Sequence, residues 1–420
     1  MENNNTIVKI IKEELVPALG CTEPISVALG AATARKYLDS LPDNIHIRCS
    51  GNLIKNIKCV KVPNTKGMVG IESSVLAGLI GGNPEKAMEV LSEVTDDDLK
   101  QIDKLKKKKM VDIDLLDTPF TLHFILRVEK EDEYVEVEIK NLHTNIVRIE
   151  KNGTIIKKKN DVKSKYYGVM TDRSTLSIER IIGFAKHHDT DGLKHLFSEQ
   201  IRYNTAIAEE GLNGDYGVSI GKAILKNNDS VFGKMKAYAT AASEARMCGC
   251  TLPVITNSGS GNQGLTSSIP VIVYARENHV SEEKMLRALA LSNLLTIYQK
   301  TKIGRLSAFC GVISSACSAG AALTYLEGGS DEQIGMTIVN ALEGVSGVIC
   351  DGAKASCAAK IAAGLESAFI GHLLAMEKKS YQPFTGFIRK NVDDTIEAVA
   401  RIASEGMKDT DKTILDIMMK

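Results

Sequence analysis

The chain has 420 residues, 44% of them hydrophobic, which is enough for two or three ordinary domains with a substantial core. Lys plus Arg and Asp plus Glu both number 52, so the formal net charge is zero. No excess of positive charge exists to hold a nucleic acid or an anionic membrane, and we expect neither as a partner.

The N-terminus lacks the basic segment and apolar stretch of a secretory signal, which predicts a cytoplasmic protein. Residues 307–326 carry no charge and are as long as a membrane span. Ser, Gly, Cys and Ala dominate this stretch rather than Leu, Ile and Phe, so we predict a buried, closely packed helix.

Residues 6–41 carry apolar residues at helical spacing, interrupted by Pro17 and by the sequence Gly-Cys-Thr-Glu-Pro at 20–24. This pattern predicts two helices with a break between them. Thr22 suits the N-cap of the second helix, and Pro24 then falls in its first turn.

The pattern changes to short apolar runs, many of them alternating, between residues 43 and 160, which predicts a smaller α+β domain. The predicted strands are 45–49, 57–62, 122–127, 134–139 and 145–149, with two or three short helices over 69–107. The lysine runs at 106–109 and 157–159 are interpreted as solvated faces.

From residue 176 to the C-terminus the pattern is helical almost throughout, with many small residues that allow close helix packing. We therefore predict an α+β protein, in which a mainly helical domain carries the inserted smaller α+β domain. The predicted division is 1–42 for N-terminal helices that pack on the helical domain, 43–160 for the α+β domain and 161–420 for the helical domain.

Nine cysteines are not a disulfide framework in a cytoplasmic chain, because that compartment keeps thiols reduced. Some of these cysteines are therefore candidates for metal binding or catalysis, while others are simply small buried residues. We assign Cys49, Cys59, Cys317 and the pair Cys248 and Cys250 to this structural class.

Residues 257–264 contain a G-x-G-x-x-G sequence, which is weak support for a dinucleotide site. That fingerprint needs a βαβ unit, whereas the surroundings are predicted to be helical and Pro270 follows closely. Asn257, Ser258, Ser260 and Asn262 in this segment would equally suit a small carboxylate, and a flexible connector is the remaining interpretation.

Glycines flank Cys350, and a helix is predicted to begin just after it with Asp351 as the N-cap. This helix start would offer free N–H groups to anionic thiolates at Cys350 and Cys357. Cys310 lies near another helix start, and three thiolates would leave one metal position open for a substrate. Judged from spacing alone, zinc or three unrelated buried thiols are more common explanations of such cysteines.

Cys21 precedes the second predicted helix, where the helix dipole would lower its thiol pKa and make it a base or nucleophile. A packing residue beside a kink is the alternative. The chain contains no H-E-x-x-H, G-x-S-x-G or Walker sequence, so hydrolases and nucleotide triphosphatases have little support.

These motifs together resemble the L-cysteine desulfidase family, which is related to the alpha chain of iron-sulfur L-serine dehydratases. The similarity covers nearly the whole chain and rests on Gly-Cys-Thr-Glu-Pro at 20–24, the 258–264 segment, Cys310-Gly311, and Cys350-Asp351-Gly352 through Cys357.

The resemblance implies a [4Fe-4S] cluster held by Cys310, Cys350 and Cys357 in the helical domain, with Cys21 as the catalytic base. It implies elimination of sulfide from L-cysteine to give 2-aminoacrylate, which hydrolyses to pyruvate and ammonia, without pyridoxal phosphate. We expect a homo-oligomer with a small-molecule substrate. The alternatives are a serine dehydratase, since a hydroxyl can occupy the same open iron, and a metal-cluster sensor without turnover.

Overall fold

The computed structural model describes residues 2–159, 170–188 and 191–419. Within them the chain forms two hydrophobic cores, one among helices and one between helices and a sheet. The predicted α+β class is confirmed.

Sixteen α-helices are described, and they concentrate in the C-terminal two thirds of the chain. They are α1 Glu2–Glu14, α2 Thr22–Leu38, α3 Gly51–Ile57, α4 Gly70–Gly81, α5 Asp96–Lys106, α6 Ile178–His187, α7 Asp191–Asn213, α8 Ile220–Asn227, α9 Val231–Met247, α10 Gly261–Glu277, α11 Glu282–Ile303, α12 Gly311–Leu326, α13 Asp331–Val345, α14 Cys357–Met376, α15 Val392–Arg401 and α16 Lys408–Met419.

The described residues contain eight strands in two sheets. The strands are β1 Pro17–Leu19, β2 Asn44–Cys49, β3 Val111–Leu115, β4 His123–Lys130, β5 Glu133–Lys140, β6 Ile146–Lys151, β7 Thr154–Lys158 and β8 Pro253–Ile255. The larger sheet has the order β3-β2-β4-β5-β6-β7 and is antiparallel except between β2 and β3, while β1 pairs antiparallel with β8.

The sheet core is built on α2, whose side chains are buried on nearly every face. Such all-round burial requires small residues, and Gly30 lies so close to the ring of Phe124 on β4 that a Cβ would be only 2.8 Å from it. On the opposite side, Gly78 of α4 packs against the backbone of Ala28. This close packing holds the start of α2 firmly between the sheet and α4.

The helical core surrounds α12, which covers most of the charge-free stretch 307–326 and is almost entirely buried, as predicted. Among the described residues, one helix, α14, has the length and apolar composition of a membrane span, and 44% of its most apolar window is buried inside the protein.

The predicted division of the chain at residues 42 and 160 stays a prediction. Helix α1 contributes to the helical core, whereas α2 belongs to the sheet core. At the other end of the chain, α16 packs on α3, where Lys55 pairs with Asp411 at 2.5 Å. Residues 160–169 of the predicted boundary lie outside the described residues.

The prediction of a strand at 57–62 is wrong. Residues up to Ile57 belong to α3, and a turn follows in which only Lys61 forms an isolated bridge, with Val69. Ile57 contributes to the sheet core from the end of α3, and Val60 and Val62 contribute from the irregular segment after it, which a short apolar run does not distinguish from a strand. Strands β3 and β7, the two exposed edge strands of the sheet, were not predicted, although β3 alternates apolar and acidic residues.

Candidate active site

Four cysteines from distant parts of the chain line one cavity. Cys21 precedes α2, Cys310 precedes α12, and Cys357 is the first residue of α14, with Cys350 in the loop before it. Each thiol therefore lies at or near a helix N-terminus, where the unpaired N–H groups favour negative charge. The cavity lies between the sheet core, which supplies Cys21, and the helical core.

Cys310 and Cys350 are held side by side by a short antiparallel bridge between Phe309 and Ile349. The N–H of Cys310 donates to Val348 at 3.0 Å, and that of Cys350 donates to Ala308 at 2.6 Å. The mutual interaction of the two thiols is the largest influence on both, and it lowers the pKa of Cys350 to about 6 and raises that of Cys310. The pair is thus disposed to carry one negative charge even without a metal.

The loop from Cys350 to Cys357 does not begin a helix at Asp351, so the prediction of Asp351 as an N-cap is wrong. The helix begins at Cys357, and the Asp351 carboxylate instead pairs with Lys354 at 2.5 Å and with Lys360. Burial opposes ionisation of Asp351, but these two lysines outweigh it and lower its pKa to about 2. The ion pairs fold the loop back so that both of its cysteines face the cavity.

Gly352 allows this loop to pass close to α3. Its φ is +97°, and a Cβ there would lie 2.4 Å from the carbonyl oxygen of Lys55. The Lys55 ammonium donates to the carbonyl of Cys350 at 3.0 Å. The sheet core and the cysteine loop are therefore joined directly beside the cavity.

The expectation that the α2 dipole lowers the thiol pKa of Cys21 is wrong. Burial raises the pKa of Cys21 well above its ordinary value, and the nearby Glu23 carboxylate raises it further. The Cys21 thiol donates a hydrogen bond to Oε2 of Glu23 at 3.0 Å. The sulfur is therefore protonated in this state, with a carboxylate as its immediate proton acceptor.

Burial alone would raise the pKa of Glu23, but the positive charge that His143 carries when protonated, the Cys21 hydrogen bond and the charge of Arg246 act together to lower it. Burial also lowers the pKa of His143 to about 4, against the opposing charge of Glu23. The side chain of His143 is therefore a neutral imidazole, and its Nε2 is buried without a hydrogen-bond partner.

The glycine-rich segment reaches the same cavity through Ser258, Ser260 and Asn262. The hydroxyl of Thr22 donates to the carbonyl of Gly259 at 2.9 Å, which joins the 20–24 segment to this one. Gly259 has a φ of +79°, and a Cβ would lie 2.5 Å from Arg305, so a larger residue there is disfavoured.

Asn257 does not line this cavity. Its amide donates to Oδ1 of Asn293 at 3.0 Å, and its Oδ1 accepts from Ser258 at 2.8 Å. The helix after the segment, α10, begins at Gly261 and contains Pro270. The strand before it, β8, pairs antiparallel with β1, so the βαβ unit of a dinucleotide site is not formed at this position.

Two buried cations face the cavity without a carboxylate partner among the described residues. Lys300, in the last turn of α11, is 1% exposed. Burial lowers its pKa to about 8, although the Cys350 and Cys310 thiols oppose this. Arg246 donates to Oδ1 of Asn262 at 3.1 Å, while its Nε is buried and unpaired. A buried charge without a partner is costly, which indicates that an anion belongs in this cavity.

The donor set fits an iron-sulfur cluster. Within the described residues, no three His, Cys, Asp or Glu side chains converge as the ligands of a single metal ion do. In a cluster, each cysteine binds a different iron, so the thiolates surround it instead of meeting at one point. Three thiols and the uncompensated ammonium of Lys300 suit such an anionic group, since soft sulfur ligands favour iron-sulfur clusters.

Several residues of the cavity wall were not predicted from the sequence: Asn56, His143, Arg246, Gln263, Lys300 and Arg305. Gln263 lay within a recognised motif and could have been singled out. Lys300 could not, because a lysine in the last turn of a helix is ordinary, and Lys302 two residues later simply pairs with Glu397 at 2.6 Å.

Comparison with known proteins agrees with this architecture over most of the chain. A family model described as serine dehydratase alpha chain matches residues 85–416, a range that contains three of the four cavity cysteines but not Cys21.

Relatives extend the similarity to both ends of the chain. A protein of Treponema denticola named UPF0597 protein is 47% identical over 419 residues, covering 98% of this chain and 97% of its own. One from Desulfitobacterium hafniense is 46% identical, covering 99% and 96%, and one from Bacteroides fragilis is 37% identical, covering 98% and 97%. The chain belongs to the serine dehydratase alpha chain family.

Proposed function

We propose that this member of a lyase family is an iron-sulfur L-cysteine desulfidase. The observation that carries the proposal is the shared cavity of Cys21, Cys310, Cys350 and Cys357, into which the unpaired Lys300 also faces. Family membership supports elimination from a β-substituted amino acid. The choice of cysteine over serine rests on the resemblance described above.

Cys310, Cys350 and Cys357 would hold a [4Fe-4S] cluster through three of its irons. When bound, the cluster would supply an open iron that acts as a Lewis acid towards the leaving group. Lys300 would offset the negative charge of this group, and Lys55 and Lys360 add positive charge near Cys350. Burial of the site would keep water from competing for the open position.

Cys21 would act as the base that removes the α-hydrogen. Since its thiol is protonated and hydrogen-bonded to Oε2 of Glu23, we propose that its proton passes to Glu23 as the sulfur receives the α-hydrogen. The C–S bond then breaks, giving 2-aminoacrylate and sulfide. Hydrolysis of 2-aminoacrylate yields pyruvate and ammonia.

The start of α10 would bind the substrate carboxylate. Ser260 is the N-cap residue and makes no side-chain cap, so the first N–H groups of the helix remain available to an anion. Ser258, Ser260 and Asn262 would contribute side chains, and Arg246 supplies positive charge beside Asn262. Asn257 would act indirectly, by holding the segment against Asn293.

A serine dehydratase is the nearest alternative, and the matched family model favours it by its description. Anaerobic reconstitution followed by parallel assays of sulfide from L-cysteine and pyruvate from L-serine separates the two. We expect a higher kcat/KM for L-cysteine. A higher value for L-serine would make the protein a serine dehydratase, and turnover of neither would favour a sensor.

We also propose that the protein works as a homo-oligomer in the cytoplasm. Light scattering of the purified protein tests the first point, and fractionation of cells tests the second. A monomer in light scattering would contradict the oligomer.

A further inference from the structure

The buried carboxylates of the described residues differ in what neutralises them. Glu14 pairs with Arg173 at 2.9 Å and Arg305 at 2.7 Å. Glu244 accepts hydrogen bonds from the backbone N–H groups of Val218 and Ile220 at the start of α8. In both cases the negative charge meets a cation or a helix N-terminus, as burial requires.

Glu23 lies in the first turn of α2, so it shares the helix N-terminus, but it has no cation partner. It is 7% exposed, and no Lys, Arg or His nitrogen of the described residues lies within ion-pair distance of it. Its hydrogen-bond donors are the thiol of Cys21 and the amide of Asn56, while the Thr22 hydroxyl, 3.1 Å from Oε2, shares its single hydrogen with the carbonyl of Gly259. The carboxylate thus lines the cavity without an ion-pair partner among the described residues, and the charge of Arg246 acts on it only from beyond ion-pair distance.

Asn56 lies next to Glu23 on the cavity wall and has an unpaired hydrogen-bond acceptor. Its Nδ2 donates to Oε1 of Glu23 at 3.1 Å, which fixes the orientation of the amide. Oδ1 of Asn56 is thereby left buried without a hydrogen-bond partner, and the side chain lines the cavity. Burying an acceptor without a hydrogen bond is unfavourable, so the unpaired Oδ1 indicates a donor that arrives with the ligand.

We propose that Glu23 and Asn56 bind the α-ammonium group of the substrate, with Oε1 of Glu23 and Oδ1 of Asn56 accepting its hydrogen bonds. This proposal rests on the proposed lyase function, whose site it shares. Arg246 and the start of α10 would take the carboxylate, so the cavity matches both charges of a free amino acid.

The position of Cys21 agrees with this assignment. The ammonium group and the α-hydrogen are attached to the same carbon atom, and Glu23 lies beside Cys21 at the start of the same helix. An ammonium group bound at Oε1 of Glu23 would therefore direct the α-hydrogen towards the Cys21 sulfur, which is hydrogen-bonded to Oε2 of the same carboxylate. The site would reject acids that lack the amine, because Glu23 and Asn56 would then remain buried and unpaired.

The test compares two ligands that the enzyme does not turn over as substrates. L-alanine has the ammonium but no leaving group, and 3-mercaptopropionate has the thiol and carboxylate but no ammonium. Their dissociation constants are measured by anaerobic titration calorimetry on the cluster-loaded wild type and on the Glu23→Gln and Asn56→Ala variants. Asn56→Ala keeps the Glu23 carboxylate, so this variant still tests the ammonium site if Glu23→Gln does not fold.

We expect Glu23→Gln to weaken L-alanine binding by about tenfold or more, and Asn56→Ala by roughly three- to tenfold. Binding of 3-mercaptopropionate should change by about twofold at most, because it makes no ammonium contact. Equal losses for both ligands, no loss for L-alanine, or a wild type that binds only 3-mercaptopropionate would overturn the proposal.

These outcomes are separate from those of the proposed function. A protein that turns over neither cysteine nor serine, yet shows the ligand difference, would refute the lyase proposal and retain the ammonium site. A protein that releases sulfide from L-cysteine, but whose variants lose affinity for L-alanine and 3-mercaptopropionate equally, would support the lyase proposal and refute the ammonium site.

Discussion

The Cys21 sulfur lies 3.0 Å from Oε2 of Glu23, two residues later in the same helix start. The thiol therefore has a proton acceptor before any substrate enters. Because both side chains are buried and line the cavity, their hydrogen bond is protected from exchange with bulk water.

Replacement of Cys21 by Ser should abolish elimination while the cluster remains. A hydroxyl is a far weaker acid than a thiol, so its deprotonated, basic form is much less accessible, and we expect kcat for sulfide release to fall by about 100-fold or more. Iron content and the visible absorption should match the wild type. Full activity would exclude Cys21 as the base, and loss of iron would place it among the ligands.

Replacement of Cys310, Cys350 or Cys357 by Ala should each prevent cluster assembly, because three thiolates are the minimum proposed set. Iron and acid-labile sulfide per chain after anaerobic reconstitution measure this. Cys317→Ala is the matched control, since Cys317 lies in α12 after Cys310, is fully buried and does not line the cavity. Wild-type iron in any of the three variants would remove that residue from the ligand set.

Replacement of Lys300 by Met should have opposite effects on the two forms of the protein. Without a cluster, removal of an unpaired buried ammonium should raise the free energy of unfolding by about 1 kcal/mol or more. With a cluster, loss of the compensating charge should speed iron release in air severalfold. Lys302→Met, at a partly exposed ion pair, should change neither quantity much. Destabilisation of the cluster-free protein by Lys300→Met would contradict this account.

Replacement of Asn262 by Ala should raise KM about tenfold or more while the cluster content stays unchanged, because its side chain lines the cavity next to Arg246. Asn278→Ala serves as the control, since Asn278 caps the far end of α10. An unchanged KM would exclude Asn262 from carboxylate binding.

The burial of His143 predicts a stability that depends on pH. Its pKa is about 4 in the folded protein, while that of an unfolded chain is about 6.5. Between these values the unfolded chain binds a proton that the folded one does not, so stability is full above pH 6.5 and falls as the pH approaches 4.

The predicted loss is about 3 kcal/mol in the cluster-free protein. Urea unfolding of wild type and His143→Asn at several pH values checks it, because the variant should lack this part of the decline. Parallel pH profiles for the two proteins would show that His143 is not the responsible group.

Local sequence patterns predicted most of the helices but not all of their starting points, since α2 is capped by Cys21 instead of Thr22 and α14 begins at Cys357. The break at residues 20–24, the buried helix after Cys310 and strands β2, β4, β5 and β6 follow from residue types a few positions apart. The resemblance of four short motifs then singled out Cys21, Cys310, Cys350 and Cys357. These four residues do share one cavity wall.

Only the tertiary structure decided the electrostatics of that cavity. The raised pKa of Cys21, the unpaired charges of Glu23, Arg246 and Lys300, and the ion pairs of Asp351 all depend on contacts between distant segments. A lysine at a helix end and an asparagine in a short helix look ordinary in sequence. These residues become candidates for binding only because they are buried without a partner, and burial and partners are properties of the packed chain.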